Sequence, residues 1–155
     1  MSRKNELLSA NEGYAASFEK GHLPMPPSRR FAIVTCMDAR LDPARFLSLE
    51  EGDAHVIRNA GGLVTDDALR SLVISHNLLG TEEVFVIAHS DCGMLTFSDG
   101  ELQEQLGTDI DFHAFSDLDQ SVRESVSRVR ESPLTADAVH GFVYEVESGR
   151  LREVA

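Results

Sequence analysis

The sequence has no tryptophan, only two cysteines, and 14 basic residues against 26 acidic ones. The resulting net charge of -12 argues against nucleic acid as a partner, because phosphate backbones are bound by clustered Lys and Arg. No apolar run approaches the roughly 20 residues that span a bilayer, and residues 1–11 lack the apolar stretch of a signal peptide. We therefore expect a cytoplasmic protein that binds neither nucleic acid nor membranes.

The two cysteines, Cys36 and Cys92, are too few for the disulfide framework of a small secreted domain. In a reducing compartment they are free thiols or metal ligands. A buried free cysteine also serves as a small apolar residue in many cores. The cysteines alone therefore leave a structural and a metal-binding interpretation open.

The rest of the composition is that of a globular domain, with 42% hydrophobic and 26% charged residues. A chain of 155 residues fits one domain with a sizeable core. Residues 5–18 have loosely helical spacing, and the Gly- and Pro-rich segment 21–27 then stops any helix. This pattern predicts an N-terminal helical arm over residues 1–27 and a single α/β domain over residues 28–155.

Short, nearly uniform apolar runs predict buried strands of a parallel sheet at 31–36, 54–57 and 83–89. Thr65 is expected to cap a helix that Gly80 ends, and a second helix is expected over 118–131. Residues 141–146 and 151–154, joined by Ser148 and Gly149, predict an antiparallel hairpin. Residues 94–117 are expected to be irregular. The predicted fold is a mostly parallel sheet of about four strands with flanking helices, a C-terminal antiparallel hairpin and an N-terminal helical arm.

Two polar segments, 36–40 and 89–93, begin where predicted strands end. The carboxyl ends of parallel strands lie at one edge of a sheet, so these segments meet if their strands are neighbours. Two thiolates and one imidazole form a known catalytic ligand set for zinc, which keeps a fourth position for water, whereas a structural site uses four protein ligands. A tight turn at Gly93 can aim both His89 and Cys92 inward.

These residues resemble the metal-site signature of the β-carbonic anhydrases: Cys36-x-Asp38-x-Arg40, then His89-x-x-Cys92-Gly93. A further similar segment runs over 56–62, and the resemblance extends from about residue 24 to about residue 99. It implies one Zn²⁺ per subunit, held by Cys36, His89 and Cys92, and the hydration of carbon dioxide to bicarbonate. It also implies an Asp38–Arg40 pair beside the fourth position, backbone at Gly61 and Gly62 lining the substrate pocket, and a homodimer or larger homo-oligomer whose arm packs on the partner subunit.

The chemistry of zinc agrees with these roles. Bound zinc lowers the pKa of its water toward ~7 and so supplies hydroxide at neutral pH. Two thiolates cancel the formal zinc charge, so such a site should lower the pKa of the water less than an all-imidazole site. A neighbouring group that orients the hydroxide is therefore more important to the mechanism. Asp38 paired with Arg40 stays ionised and can accept the hydroxide proton. In some relatives the aspartate itself occupies the fourth position, and the sequence leaves both states open.

Two other functions remain open from the sequence. Relatives with the same site hydrolyse carbonyl sulfide or carbon disulfide, and a non-catalytic zinc or thiol-sensing module would also use two cysteines. Arg58 is open between a structural and a site role. The other histidines lack a partner at ligand spacing and are expected to be structural or exposed, although any of them could relay protons: His22, His55, His76, His113 and His140. The Gly61–Gly62 pair lacks the Gly-Lys-Ser/Thr pattern of a phosphate loop.

Overall fold

The computed structural model describes residues 2–155. The helices are α1 (Arg3–Ala15), α2 (Pro43–Phe46), α3 (Asp66–Asn77), α4 (Asp99–Leu106) and α5 (Leu118–Arg130). The strands are β1 (Phe31–Cys36), β2 (Ala54–Asn59), β3 (Glu83–His89), β4 (Ala138–Glu145) and β5 (Arg150–Glu153), and a short 3₁₀ turn spans Gly93–Leu95. Within the described residues no helix is both long enough and apolar enough to cross a membrane.

The strands form one five-stranded sheet in the order β2-β1-β3-β4-β5. The β1–β2, β1–β3 and β3–β4 pairs are parallel, and the β4–β5 pair is antiparallel. The predicted α/β class, mostly parallel sheet and C-terminal hairpin are therefore confirmed. β4 is both the fourth parallel strand and the first strand of the hairpin, so the predicted, mostly parallel sheet of about four strands and the predicted hairpin share this strand.

Every residue of β1 is buried, as expected for a strand covered on both faces. On one face α3 and α5 pack against the sheet through Leu72 and Val126. On the other face the cover is thinner and aromatic, with Phe85 and Phe142 beside the buried Ile33. The sheet therefore has a thick helical layer on one side and a shallow apolar layer on the other.

The capping residues define where the longer helices begin. The Thr65 side chain accepts a hydrogen bond from the backbone of Ala68, as predicted, and α3 ends at Asn77, shortly before Gly80. Asp117 caps α5 in the same way through Gln120. Both helices thus start at the residue where a side-chain oxygen satisfies a free backbone N–H.

The prediction that residues 94–117 are irregular is wrong in part, because this segment contains α4. Ser98 and Glu101 form a reciprocal capping box at its start. None of its residues is buried, so it has no apolar stripe from which helical periodicity could be read. The short helix α2 was also not predicted; Asp42 caps it and Pro43 occupies its first turn.

The N-terminal arm is attached at its end rather than along its helix. No residue of α1 is buried, and Leu7 remains 65% exposed. Farther along, Lys20 binds the carboxylates of Glu50 and Glu51 at 3.1 Å and 2.5 Å. The backbone N–H of Ser28 then donates to Gly52 at 2.8 Å, just before β2. The acidic loop preceding β2 therefore anchors the arm as well as facing solvent.

Candidate metal centre

The parallel pairing of β1 with β3 brings the predicted ligand segments together. Cys36 is the last residue of β1 and His89 the last of β3, and the two strands are hydrogen-bonded neighbours. Cys92 follows after a short turn. The ligand atoms of Cys36, His89 and Cys92 lie within 4.8 Å of one another, and all three residues are buried. Within residues 2–155 this is the one group of three such side chains with metal-binding spacing.

The His89 ring is oriented with one nitrogen toward the two sulfurs. Its Nδ1 lies 2.7 Å from the carbonyl oxygen of Ser90, which can only accept, so Nδ1 carries the proton. Its Nε2 is therefore unprotonated in the neutral ring. This Nε2 atom is buried and makes no hydrogen bond to any described residue. A buried nitrogen lone pair that faces two sulfurs is the arrangement expected of a metal ligand.

The two cysteines shift the pKa values of one another in opposite directions. The hydrogen bond with Cys92 lowers the pKa of Cys36 to about 4, and the same bond raises the pKa of Cys92 far above its usual range. Backbone N–H groups of Asp38 and Gly61 also donate to the Cys36 sulfur, and that of Met94 donates to the Cys92 sulfur. These amide bonds stabilise negative charge on sulfur, as a pair of metal-binding thiolates requires.

This donor set fits Zn²⁺. Two thiol sulfurs and one imidazole nitrogen form the ligand set of a catalytic zinc site with one position left for water. The imidazole is fixed by its hydrogen bond to Ser90, and the sulfurs by backbone amides. The residues that could hold the ion are thus Cys36, His89 and Cys92.

Asp38 and Arg40 lie together beside the three donors. The Arg40 guanidinium donates to both carboxylate oxygens of Asp38, at 3.0 Å from Nε and 2.7 Å from Nη2, and the Arg40 backbone N–H donates at 2.8 Å. These bonds hold the pKa of Asp38 well below its usual range. Oδ2 of Asp38 lies 3.6 Å from Nε2 of His89. An ionised carboxylate therefore faces the donors.

Sequence reasoning did not find the part played by Asp91. Arg40 Nη1 donates to its carboxylate at 2.8 Å, and Arg40 Nη2 donates to its carbonyl oxygen at 2.9 Å. Asp91 also has a positive φ of 53°. The available signal was its position, a carboxylate between two predicted ligands. Arg40 thus connects the segment after β1 with the segment after β3.

Arg58, whose role the sequence left open, binds the backbone of the first ligand segment. Its Nε donates to the carbonyl of Cys36 at 2.9 Å, and its Nη2 donates to the carbonyl of Asp38 at 2.8 Å. Both contacts cross from β2 to the end of β1. Arg58 is therefore a support for the segment that carries Cys36 and Asp38.

Gly61 and Gly62 form a turn pressed against the end of β1, with φ of 89° and 64°. A Cβ at position 62 would lie 2.8 Å from the backbone nitrogen of Cys36, so no larger residue fits there. The Asn59 side chain spans the turn, donating to the carbonyl of Leu63 at 2.8 Å and accepting from its N–H at 2.9 Å. The turn thus has a fixed shape that places the Gly61 amide on the Cys36 sulfur.

Apolar side chains surround the ligands on the remaining sides. Leu41 and Met94 are buried with the two cysteines, and Phe115 packs against them. A cavity of about 800 Å³ lies beyond Leu63 and Phe115, which form part of its lining. None of the three candidate ligands lines this cavity.

The remaining histidines all make contacts with residues other than the metal-site donors. His55 bonds to Ser75 at 2.7 Å, His76 to the carbonyl of Thr81 at 2.6 Å, and His22 to the carbonyl of Glu19 at 3.1 Å. His113 pairs with Asp111, and His140 with Glu83, both at 3.2 Å. These contacts agree with the structural or exposed positions expected for them.

Comparison with known proteins places this arrangement in a family. The family model described as carbonic anhydrase matches residues 31–111. The chain is 45% identical to β-carbonic anhydrase 1 of Mycobacterium tuberculosis over 162 residues, covering 99% of each protein. It is 34% identical to a carbon disulfide hydrolase of Acidithiobacillus thiooxidans, covering 98% of the chain and 90% of the relative.

A solved structure shows the same fold over the full chain. The crystal structure of a carbonic anhydrase from Streptococcus mutans superposes with a TM-score of 0.92 at 45% identity, covering 100% of this chain and 99% of that one. The match therefore extends beyond the motif segments to α5 and the C-terminal hairpin. Sequence, fold and the convergence of Cys36, His89 and Cys92 agree, and the chain is an enzyme of the β-carbonic anhydrase family.

Proposed function

We propose that the protein catalyses the reversible hydration of carbon dioxide to bicarbonate, with one Zn²⁺ per subunit held by Cys36, His89 and Cys92. The observation that carries this proposal is the convergence of the three buried donors beside the ionised carboxylate of Asp38. A structural zinc site would have a fourth protein ligand and no need for an arginine-paired carboxylate. The arrangement therefore supports a catalytic centre over a non-catalytic module.

Zinc bound there would supply hydroxide at neutral pH by lowering the pKa of a water molecule. The two thiolates weaken that effect, so the surrounding residues have to compensate. Asp38 is ionised, because Arg40 lowers its pKa, and it can accept a hydrogen bond from the attacking oxygen. That bond aims the oxygen lone pair at the carbon of the substrate. We assign Asp38 as the orienting residue and Arg40 as the residue that holds it.

Gly61 and Gly62 are proposed to line the substrate pocket through their backbone. Their turn lies against Cys36, and the position of a Cβ on Gly61 would be 3.1 Å from the Phe115 ring and 3.2 Å from Met94. Around Gly61 the wall of this pocket consists of backbone and apolar side chains. Such walls suit a linear, neutral molecule better than a charged one.

The experiment that tests this function measures zinc and hydration together. The parent protein is expected to hold one zinc per subunit by elemental analysis and to hydrate carbon dioxide in a stopped-flow pH-indicator assay. Asp38→Asn should keep the zinc and lose hydration by about 10²-fold or more, as expected for removal of a group that orients a nucleophile. Full activity in Asp38→Asn would contradict the assigned role. A zinc-loaded, folded parent protein without hydration would instead favour a non-catalytic zinc or thiol-sensing module.

Carbon disulfide or carbonyl sulfide is the second candidate substrate class, because a carbon disulfide hydrolase aligns with 98% of the chain. All three molecules are linear with an electrophilic carbon, so the same site could attack each one. Side-by-side turnover of the three gases distinguishes them. A kcat/KM for carbon dioxide that exceeds the other two is expected, and the reverse order would reassign the substrate.

We also propose a homodimer in which the arm of one subunit packs on the other. The arm exposes apolar side chains that its own domain does not cover, among them Leu7, Leu8 and Met25. A second apolar surface lies on the thinly covered face of the sheet, where Phe31, Phe85 and several neighbours line a cavity of about 360 Å³. Contact between the arm and this face would bury both surfaces.

A further inference from the structure

We propose that Asp91 is a positioning residue that acts through Arg40 to keep Asp38 out of the fourth ligand position, an inference that rests on the proposed zinc site. Arg40 is the only link between the two carboxylates in the described chain, and it binds both at short distance. Asp91 is not one of the three candidate metal ligands. Its effect on the centre therefore passes through the guanidinium.

The guanidinium of Arg40 uses most of its donors in this arrangement. Nε and Nη2 bind the carboxylate of Asp38, Nη1 binds that of Asp91 at 2.8 Å, and Nη2 also donates to the Asp91 carbonyl at 2.9 Å. Because the guanidinium is planar, fixing one edge on Asp91 fixes the direction of the edge that binds Asp38. The Arg40 side chain is 49% exposed, so packing alone does not fix its conformation.

The loop that carries Asp91 is firmly attached to the sheet. The N–H of Ser90 donates to the carbonyl of Tyr144 at 2.9 Å, and the N–H of Val146 donates to the hydroxyl of Ser90 at 2.9 Å. Asp91 itself adopts a left-handed backbone conformation that aspartate and asparagine tolerate better than most residues. Hydrogen bonds from Ser90 to the end of β4 and from Asp91 to Arg40, joined by the backbone between Ser90 and Asp91, thus connect the sheet with Arg40 and Asp38.

The alternative position of Asp38 is close. Its Oδ2 lies 3.6 Å from Nε2 of His89, one of the three candidate metal ligands. A small rotation of a carboxylate that Arg40 no longer restrains would bring an oxygen to the metal in competition with water. Asp91, by restraining Arg40, biases Asp38 toward orienting a water molecule instead of replacing it.

The test uses binding of azide to the cobalt(II)-substituted protein, followed by the visible absorbance of the metal. Azide binds only where the fourth position is exchangeable, so the readout does not depend on turnover. Asp91→Asn keeps the backbone preference and removes the charge; Asp91→Gly removes the side chain and relieves the positive φ if the first variant folds poorly. Asp67→Asn is the matched control, since Asp67 also pairs with an arginine at 2.8 Å and its side chain is equally 77% exposed.

Loss of a negative charge by itself favours anion binding, so each Asp91 variant is also made in an Asp38→Asn background. The effect of the Asp91 substitution on azide affinity is then compared between the two backgrounds. With Asp38 present, the substitution is expected to weaken azide binding about two- to fivefold more than in the Asp38→Asn background, which is the size of one exposed ion pair. The Asp67 control should show no such coupling. Coupling of zero, or of the opposite sign, would overturn the role of Asp91. Absence of carbon dioxide hydration in the parent protein would overturn the proposed function but leave this binding result interpretable.

Discussion

Replacing Gly62 by alanine tests the physical basis of the glycine turn. The added Cβ would lie 2.8 Å from the backbone nitrogen of Cys36 and 2.9 Å from the carbonyl carbon of Thr35. Both are backbone atoms of a buried central strand, which cannot rotate away as a flexible side chain could. The φ of 64° is also unfavourable for any residue with a Cβ.

The cost has two parts. The left-handed conformation costs an alanine roughly 1–2 kcal/mol, and overpacking against a rigid neighbour costs roughly 1–3 kcal/mol. Gly62→Ala should therefore lower the free energy of unfolding by roughly 2–5 kcal/mol in total. Gly107→Ala measures the first part alone, because Gly107 has nearly the same φ of 65° and no atom within 4 Å of the position of an added Cβ, so the difference between the two variants gives the overpacking cost.

The assay is urea unfolding of chelator-treated protein, with the parent and both variants at one protein concentration so that binding equilibria contribute equally. Gly62→Ala is expected to be less stable than Gly107→Ala by about 1–3 kcal/mol. If the two variants lose the same stability, the contact between the turn and β1 contributes nothing and the explanation is refuted. Zinc content after reconstitution should fall in Gly62→Ala alone, because the displaced segment carries Cys36.

Three further predictions concern the ligands and the assembly. Cys36→Ser and His89→Ala should each lose zinc while keeping the fold, as checked by elemental analysis and circular dichroism; retained zinc in either would remove that residue from the ligand set. In metal-free protein, thiolate absorbance should correspond to one sulfur at neutral pH and should vanish as pH falls through about 4, because the pKa of Cys36 is lowered and that of Cys92 is raised; two thiolates at neutral pH would contradict these opposite shifts. Light scattering should give a dimer, and a fully active monomer would refute the proposed packing of the arm.

The sequence predicted the parts of the fold that depend on uninterrupted apolar runs. β1 and β3 are such runs, so their ends could be placed correctly, and the meeting of Cys36 with His89 follows once the strands are neighbours. The helix α4 was not predicted, because a helix without any buried residue leaves no apolar periodicity. Its one signal was local, the capping pair formed by Ser98 and Glu101.

The contacts around the ligands show a second limit. The bond between Arg40 and Asp91 joins residues 51 positions apart, and it depends on side-chain torsions and on the positive φ of Asp91. The two contacts of Arg58 depend likewise on the register between β1 and β2. Residue types and spacing indicate which donors could meet, whereas the supporting network requires the folded geometry.

The parallel pairing of β1 with β3 governs when the three donors can first be assembled. Cys36 leaves the ribosome before His89 and Cys92, and β2 and α3 lie between β1 and β3 in the sequence, so both have to be synthesised before the two strands can pair. Pairings over such sequence separations form late, because loop closure precedes any stabilising contact. The complete set of three ligands is therefore assembled only when β1 pairs with β3. Metal supply then acts on the finished fold by mass action, retaining folded molecules rather than guiding the chain to that state.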